Sequence, residues 1–213
     1  MTVSATDVLN WIVATGDPNE RAKLARYGIP DDNAVGIPMR TMLLKARGIG
    51  RDAGLARGLW ASGGYEARTI AAMIADPGDL TAAEMDAWAA DFDSWAICDT
   101  VAFRLFKHSH HAFARAADWT CDSRTMARRA GYATFWALAL ADRAGDTGRW
   151  QGVLDRIAGV PRESEPIVEK AIVMALGAVA RISPALRAAT HDLGTRLSAD
   201  PARRRVAKAA LRV

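Results

Sequence analysis

The chain has 213 residues, of which 50% are hydrophobic and 24% are charged. This composition is typical of a globular protein and excludes disordered, collagen-like and fibrous chains. No apolar run approaches the roughly 18 residues that span a bilayer. The first twenty residues contain no Lys or Arg and therefore lack the basic front of a signal peptide, so we expect a soluble protein of the cytoplasm. Two cysteines, Cys98 and Cys121, are too few for a disulfide scaffold and match no zinc module.

Helical patterns with short connections fill the chain, and no segment shows the alternation of a half-buried strand. Capping signals mark several helix starts, such as Thr81 with Glu84, and Ser183 and Asp200 before prolines. An irregular loop is predicted over residues 28–38. The predicted helices cover residues 4–14, 17–27, 38–47, 51–60, 65–76, 81–90, 93–106, 110–118, 123–142, 148–158, 163–181, 184–198 and 201–211.

Many short helices with short links favour a stack of antiparallel helix pairs over a four-helix bundle, which needs fewer and longer helices. No crisp period is visible, so the repeats are expected to be degenerate, as HEAT-type units usually are. The predicted fold is therefore all-α: a superhelical array of HEAT-like helix pairs with a concave face. No linker interrupts the pattern, and we expect a single domain over residues 1–213.

The formal net charge of +4 is distributed unevenly. From Asp76 to Asp99 there are seven acidic and no basic residues, whereas Thr100 to Arg129 contain six basic and two acidic residues. Residues 200–213 add five basic residues against one acid. This balance permits nucleic-acid binding without showing it, since solvated helix faces give the same pattern. The basic C-terminal segment either grips a DNA backbone or gives the array a polar end.

Two segments contain candidate functional residues. Trp95 and Asp99 are one turn apart on the helix predicted over residues 93–106 and therefore share a face. In the second segment, Arg128 and Arg129 lie on adjacent faces of a helix that continues into a strongly apolar stretch. Such an arginine either pairs with a carboxylate or points at a ligand phosphate. The structural alternative is a core tryptophan with an ordinary Asp–Arg salt bridge.

Taken together, these segments resemble the AlkD-like DNA alkylation repair family, which is built of HEAT-like helical repeats. The resemblance runs over most of the chain. Its clearest pieces are Gly36–Pro38 leading into Arg40, Leu59-Trp60 with Tyr65-Glu66, Phe92–Asp99, Trp119 with Ser123 and Arg128-Arg129, and Glu169–Ile172. The resemblance implies a DNA glycosylase that binds duplex DNA and hydrolyses the N-glycosidic bond of cationic alkylated purines such as N3-methyladenine and N7-methylguanine. We expect a monomer that needs no cofactor or metal, has no membrane partner and associates with the nucleoid when bound to DNA.

The resemblance also implies roles for individual residues. The family's cleft tryptophan and aspartate fall on Trp95 and Asp99, and its phosphate-binding arginine falls on Arg129, next to Arg128. A second cleft tryptophan falls on Met174, so a flexible thioether replaces one aromatic wall. We therefore expect Trp95 and Asp99 to share a groove with Arg129, while Met174 is either a core residue or part of the cleft wall.

Two other functions remain open at this stage. Because Met174 departs from the pattern, the chain is alternatively a DNA-binding HEAT module without catalytic activity. It is otherwise a scaffold for a protein partner. The histidines at positions 108, 110 and 111 have no acidic or cysteine ligand spaced nearby, so no metal site is expected. Cys98 is not interpreted as a nucleophile, because the neighbouring Asp99 disfavours its thiolate.

Overall fold

A computed structural model describes residues 3–142, 145–160 and 163–213. This described part of the chain forms thirteen α-helices and two short 3-10 turns without any strand, which confirms the all-α prediction. None of the described helices is long and apolar enough to cross a bilayer. The helices pack into two compact units, residues 1–111 and residues 112–213. The single domain over residues 1–213 stays a prediction.

The first unit contains seven α-helices and ends in a 3-10 turn. They are α1 (Ala5–Thr15), α2 (Pro18–Arg26), α3 (Met39–Ile49), α4 (Ala53–Ala61), α5 (Tyr65–Ile74), α6 (Ala82–Ala90) and α7 (Trp95–Arg104), followed by the turn Phe106–His108. Helix α5 is central, since it packs against α1, α3, α4 and α7. Polar side chains cap the helix starts: Asp17, Asp52 and Ser94 each accept a backbone N–H of the first turn. Thr81 and Glu84 form the predicted capping box of α6.

An aromatic cluster fills the centre of the first unit. Trp60 of α4 stacks on Trp88 of α6 with their ring centroids 4.0 Å apart, and Phe92 packs edge-on against Trp60. The indole N–H of Trp60 donates to Asp91 at 2.8 Å. Arg68 forms ion pairs with both Asp91 and Asp93. Part of the acidic segment is therefore engaged in hydrogen bonds and ion pairs with Trp60 and Arg68.

The loop over residues 28–38 is organised by a buried carboxylate. Glu66 of α5 is 1% exposed and accepts the backbone N–H groups of Val35, Gly36 and Ile37 at 2.8–3.3 Å. Gly36 lies against the start of α2, where its φ of +84° suits glycine and an added Cβ would lie 2.3 Å from the carbonyl oxygen of Asp17. The Gly36 carbonyl accepts the N–H of Asp17 at 3.0 Å. The loop, which joins α2 to α3 along the chain, is thus bonded to the start of α2 and to α5.

The second unit contains the other six α-helices. They are α8 (Ala112–Trp119), α9 (Thr125–Ala141), α10 (Thr147–Gly159), α11 (Pro166–Val179), α12 (Pro184–Leu197) and α13 (Arg204–Ala210), with a 3-10 turn over Pro201–Arg203 before α13. Helix α9 packs against α8 and α11, and α11 also contacts α10, α12 and α13. The close approach of α8 to α9 requires glycine at position 131, where an added Cβ would lie 2.7 Å from the carbonyl oxygen of Ala116.

All thirteen predicted helices have a counterpart in the structure, and the differences lie at their ends. The helix predicted over 93–106 begins at Trp95, because Ser94 caps it, and gives way to a 3-10 turn after Arg104. The helix predicted over 201–211 starts as a 3-10 turn before α13. The helix predicted from residue 163 begins at Pro166, the position at which a proline ring best fits a helix start.

We expect Glu66→Gln to lower the free energy of unfolding by about 2–4 kcal/mol, measured by urea denaturation with circular dichroism. A glutamine offers one acceptor oxygen, and its NH2 group faces backbone donors that the carboxylate had accepted. Glu20→Gln is the control, because Glu20 pairs with Lys23 at the surface, where solvent screens the pair and its loss should leave the free energy of unfolding nearly unchanged. Equal stability of the two variants would show that Glu66 does not hold the loop.

Candidate functional site

One face of α7 carries the first two predicted site residues. The side-chain oxygen of Ser94 accepts the N–H of Ile97 at 3.4 Å and sets Trp95 as the first helical residue. Trp95, Asp99 and Phe103 are each half-buried, while Ile97, Cys98 and Val101 on the other side of α7 are at most 1% exposed. The four-residue spacing of Trp95 and Asp99 therefore places them together on a partly accessible face, as predicted.

Trp95 is fixed by a contact that the sequence did not predict. Its indole Nε1–H donates to the backbone carbonyl of Tyr27 at 2.9 Å, at the C-terminal end of α2. The Tyr27 residue is 67% exposed, so an accessible aromatic residue lies beside this anchor point. In the sequence, Tyr27 precedes Gly28 and belongs to no motif or residue spacing that indicates a functional site. Only the tertiary contact identifies Tyr27 as part of this surface.

Arg128 of α9 is held by protein groups on several sides. Its Nε and Nη2 donate to the two oxygens of Glu163 at 3.0 and 3.3 Å. Its Nη1 donates to the carbonyls of Asp122 and Ser123. This pairing raises the pKa of Arg128, mainly through the hydrogen bond to Glu163. Arg128 therefore pairs with a carboxylate, which belongs to Glu163 and not to an aspartate as the salt-bridge alternative supposed, and a DNA contact by this residue stays a prediction.

Arg129 is buried, at 3% exposure, and its Nη1 donates to the carbonyl of Ile167 in the first turn of α11. The guanidinium thereby ties α9 to α11. Seven residues further along α11, Met174 is 38% exposed, and Lys170 one turn before it is exposed as well. The interpretation of Met174 as a core residue is wrong, because its side chain lies on the surface face of α11. Its place in a cleft wall stays a prediction.

These residues fall in the two separate units: Trp95 and Asp99 in the first, Arg128, Arg129 and Met174 in the second. A groove shared by Trp95, Asp99 and Arg129 stays a prediction. In the described residues, no three His, Cys, Asp or Glu side chains lie close enough to hold a metal ion. Cys98 is fully buried, whereas Cys121 is exposed with its sulfur 3.5 Å from an Nη of Arg156.

The C-terminal basic residues divide into buried and exposed ones. Arg203 is 9% exposed and donates to the carbonyls of Ile157 and Ala158, which close the end of α10. Arg205 pairs with Glu169 of α11 at 3.0 Å. Other basic residues of this segment are exposed, namely Arg204, Lys208 and Arg212. The formal charge of the segment therefore overstates the positive charge it presents to a partner.

Comparison with known proteins gives two matches. A family model described as DNA alkylation repair enzyme matches residues 10–189. A solved structure, described as belonging to a new family of proteins related to the HEAT-like repeat DNA glycosylases with affinity for branched DNA structures, superposes with a TM-score of 0.81. At 20% identity it covers 92% of this chain and 83% of its own, and confirms the HEAT-like fold. No curated protein matches the chain.

We expect the contribution of Asp122 to stability to disappear in acid. Hydrogen bonds from Arg124 lower the pKa of Asp122 from 3.8 to about 2. The ionised Asp122 carboxylate therefore stabilises the folded state. Stability from this carboxylate is complete above pH 3.8 and is lost as the pH falls towards 2. Asp122→Asn should therefore unfold more easily than the wild type at pH 7, and the gap should close between about pH 4 and pH 2. Thermal unfolding of both proteins across this pH range measures the difference in stability. A difference that stays constant would show that ionised Asp122 does not stabilise the folded state.

Proposed function

Because the chain belongs to the DNA alkylation repair enzyme family, we propose that it excises cationic alkylated purines, such as N3-methyladenine and N7-methylguanine, from duplex DNA. The reaction would be hydrolysis of the N-glycosidic bond. The single observation that carries the proposal is the half-buried pair of Trp95 and Asp99 on one face of α7, with the indole held by Tyr27. This surface offers an aromatic ring and a carboxylate at a fixed spacing.

The chemistry of a cationic purine fits these two groups. Its positive charge already weakens the bond to the sugar, so the leaving base needs no protonation by the enzyme. The transition state then carries positive charge on the sugar, which a carboxylate such as Asp99 stabilises, or Asp99 orients the attacking water. Trp95 attracts the cationic nucleotide through its ring face, an interaction worth about 0.5–2 kcal/mol. The anchored indole keeps this ring in place before the substrate binds.

We propose that the two arginines of α9 contribute to DNA binding. Arg129 joins α9 to α11 through the carbonyl of Ile167, and Arg128 joins α9 to Glu163. Both contacts fix the helices of the second unit, so we propose that these residues position its DNA-facing surface. Met174 is proposed as an accessible side chain on that surface.

A second candidate function is DNA binding without base excision. It is favoured by the exposed thioether of Met174, which stands where the family resemblance expects a tryptophan. The affinity for branched DNA named for the structurally similar family supports it as well. In this alternative the helical array binds DNA through its phosphates, and Asp99 has no chemical role.

Asp99→Asn should reduce base release from methylated genomic DNA by at least about tenfold, because the amide lacks the charge that stabilises the sugar cation. Released bases are quantified by chromatography. Asp79→Asn is the matched control, since Asp79 is exposed in the turn before α6. The Asp79→Asn variant should release bases at the wild-type rate. Equal release by Asp99→Asn and wild type would refute the role of Asp99, and no release by the wild type would favour the second function.

Met174→Trp should raise the rate of base release by about 3- to 10-fold if the cleft otherwise has the catalytic form, because an indole face attracts a cationic base better than a thioether does. The residue is exposed, so the larger ring is accommodated without disturbing the core. Leu140→Trp, at another exposed apolar position in the second unit, is the control and should change nothing. A rate unchanged in both variants would remove Met174 from the substrate surface.

A further inference from the structure

A basic groove of about 380 Å³ lies in the first unit, at the C-terminal ends of α3 and α7. Its apolar floor includes Met73 of α5 and Phe103 of α7. Five basic side chains line the groove. They are Arg47 in the last turn of α3, Arg51 just after that helix, Arg104 at the end of α7, and Lys107 and His108 in the following 3-10 turn. Among the described residues that line it there is no Asp or Glu. We call this feature the α3–α7 groove.

The positive charges of the α3–α7 groove are not neutralised by described carboxylates. Elsewhere in this unit, several arginines have acidic partners, as Arg57 has Glu84 and Arg68 has Asp91. In the groove, Arg51 instead donates to the backbone carbonyls of Met73 and Ala75, which positions the guanidinium without cancelling its charge. Lys107 lies 5.7 Å from the ring centroid of Phe103. The groove is therefore a concentration of positive charge in which Arg51 is held by hydrogen bonds.

The consequence of this arrangement is visible at His108. Its pKa is lowered first by partial burial and then by the charges of Lys107 and Arg51. Helix C-termini attract cations, which accounts for Arg47 and Arg104 in the last turns of α3 and α7. It does not account for Arg51, Lys107 and His108 meeting in the same groove. Like charges held this closely repel one another, and an anion between them removes the repulsion.

We propose that the α3–α7 groove binds phosphates of a DNA strand, as an extension of the proposed catalytic face. The proposal rests on the proposed function only for the choice of DNA as the source of phosphate. Phe103 lines the groove and lies on the same α7 face as Trp95 and Asp99, which makes the two surfaces continuous. From Asp99 to Arg104 the helix rises about 7.5 Å. That distance corresponds to about two base-pair rises along the axis of a DNA duplex, at about 3.4 Å each.

The test compares two full-length variants that each remove two positive charges. Arg104→Gln/Lys107→Gln removes two groove cations, and Lys23→Gln/Arg57→Gln removes two surface cations that pair with Glu20 and Glu84. Fluorescence anisotropy with a labelled 20-base-pair unmodified duplex measures Kd at several salt concentrations. The groove variant should bind at least about tenfold more weakly and lower the slope of log Kd against log salt by about 1.8, or about 0.9 for each phosphate that the protein no longer neutralises. The surface variant should keep both values near wild type.

An equal decrease of affinity and slope in the two double variants would overturn the proposal, since net charge alone would then explain it. Should Arg104→Gln/Lys107→Gln fail to fold by circular dichroism, Arg47→Gln replaces it, with an expected slope change of about 0.9. A second experiment adds inorganic phosphate to the protein at constant ionic strength. If it raises the pKa of His108 in NMR titration while the groove variant binds duplex like wild type, the groove takes a small anion and the DNA assignment is wrong.

Base release separates this proposal from the proposed function. If the wild type releases no bases but the groove variant still loses affinity and salt dependence, the groove binds DNA and the excision hypothesis fails. If Asp99→Asn abolishes release while the groove variant binds and releases as wild type does, excision stands and the groove assignment falls. Both outcomes use the same protein preparations and the same DNA.

Discussion

The carboxylate of Glu66 holds the loop over residues 28–38 of the first unit. Three successive backbone amides, from Val35 to Ile37, point at one buried side chain. Burying a loop is costly unless its polar groups find partners, and a charged acceptor makes stronger hydrogen bonds than a neutral one. Gly36 permits this arrangement because no side chain fits between it and the start of α2. The position of α2 thus depends on a residue of α5.

That dependence reaches the proposed catalytic face. Helix α2 begins at the loop contact with Gly36 and ends at Tyr27, whose carbonyl accepts the indole N–H of Trp95. A site that stabilises a transition state needs its groups in position before the substrate binds, since reorganisation during the reaction reduces the stabilisation of the transition state. Trp95 is held from α2 as well as from its own helix, while the described position of Asp99 follows from α7 and from the Ser94 cap that starts it.

Local signals explain which parts of this molecule the sequence predicts. The spacing of Trp95 and Asp99, the capping box at Thr81 and the loop over residues 28–38 all depend on near neighbours, and the structure contains each of them. The bond from Trp95 to Tyr27 joins residues 68 positions apart, and the pair of Arg128 with Glu163 joins residues 35 apart. No periodicity encodes such contacts. The exposure of Met174 likewise depends on which helices cover α11, which its own apolar sequence does not reveal.

Formal charge and presented charge differ in this chain for the same reason. The C-terminal segment has a marked local excess of basic residues, yet Arg203 is buried and donates to backbone carbonyls, and Arg205 is paired with Glu169. The acidic stretch before Asp99 contributes Asp91 and Asp93 to Arg68, and Glu84 to Arg57. A cation that is neutralised by a carboxylate, or buried as Arg203 is, contributes little to the field felt by a polyanion. The α3–α7 groove, whose members are scattered between positions 47 and 108, keeps its charge because no described acid lies among them. A small net charge is therefore compatible with a surface that attracts DNA strongly at one place.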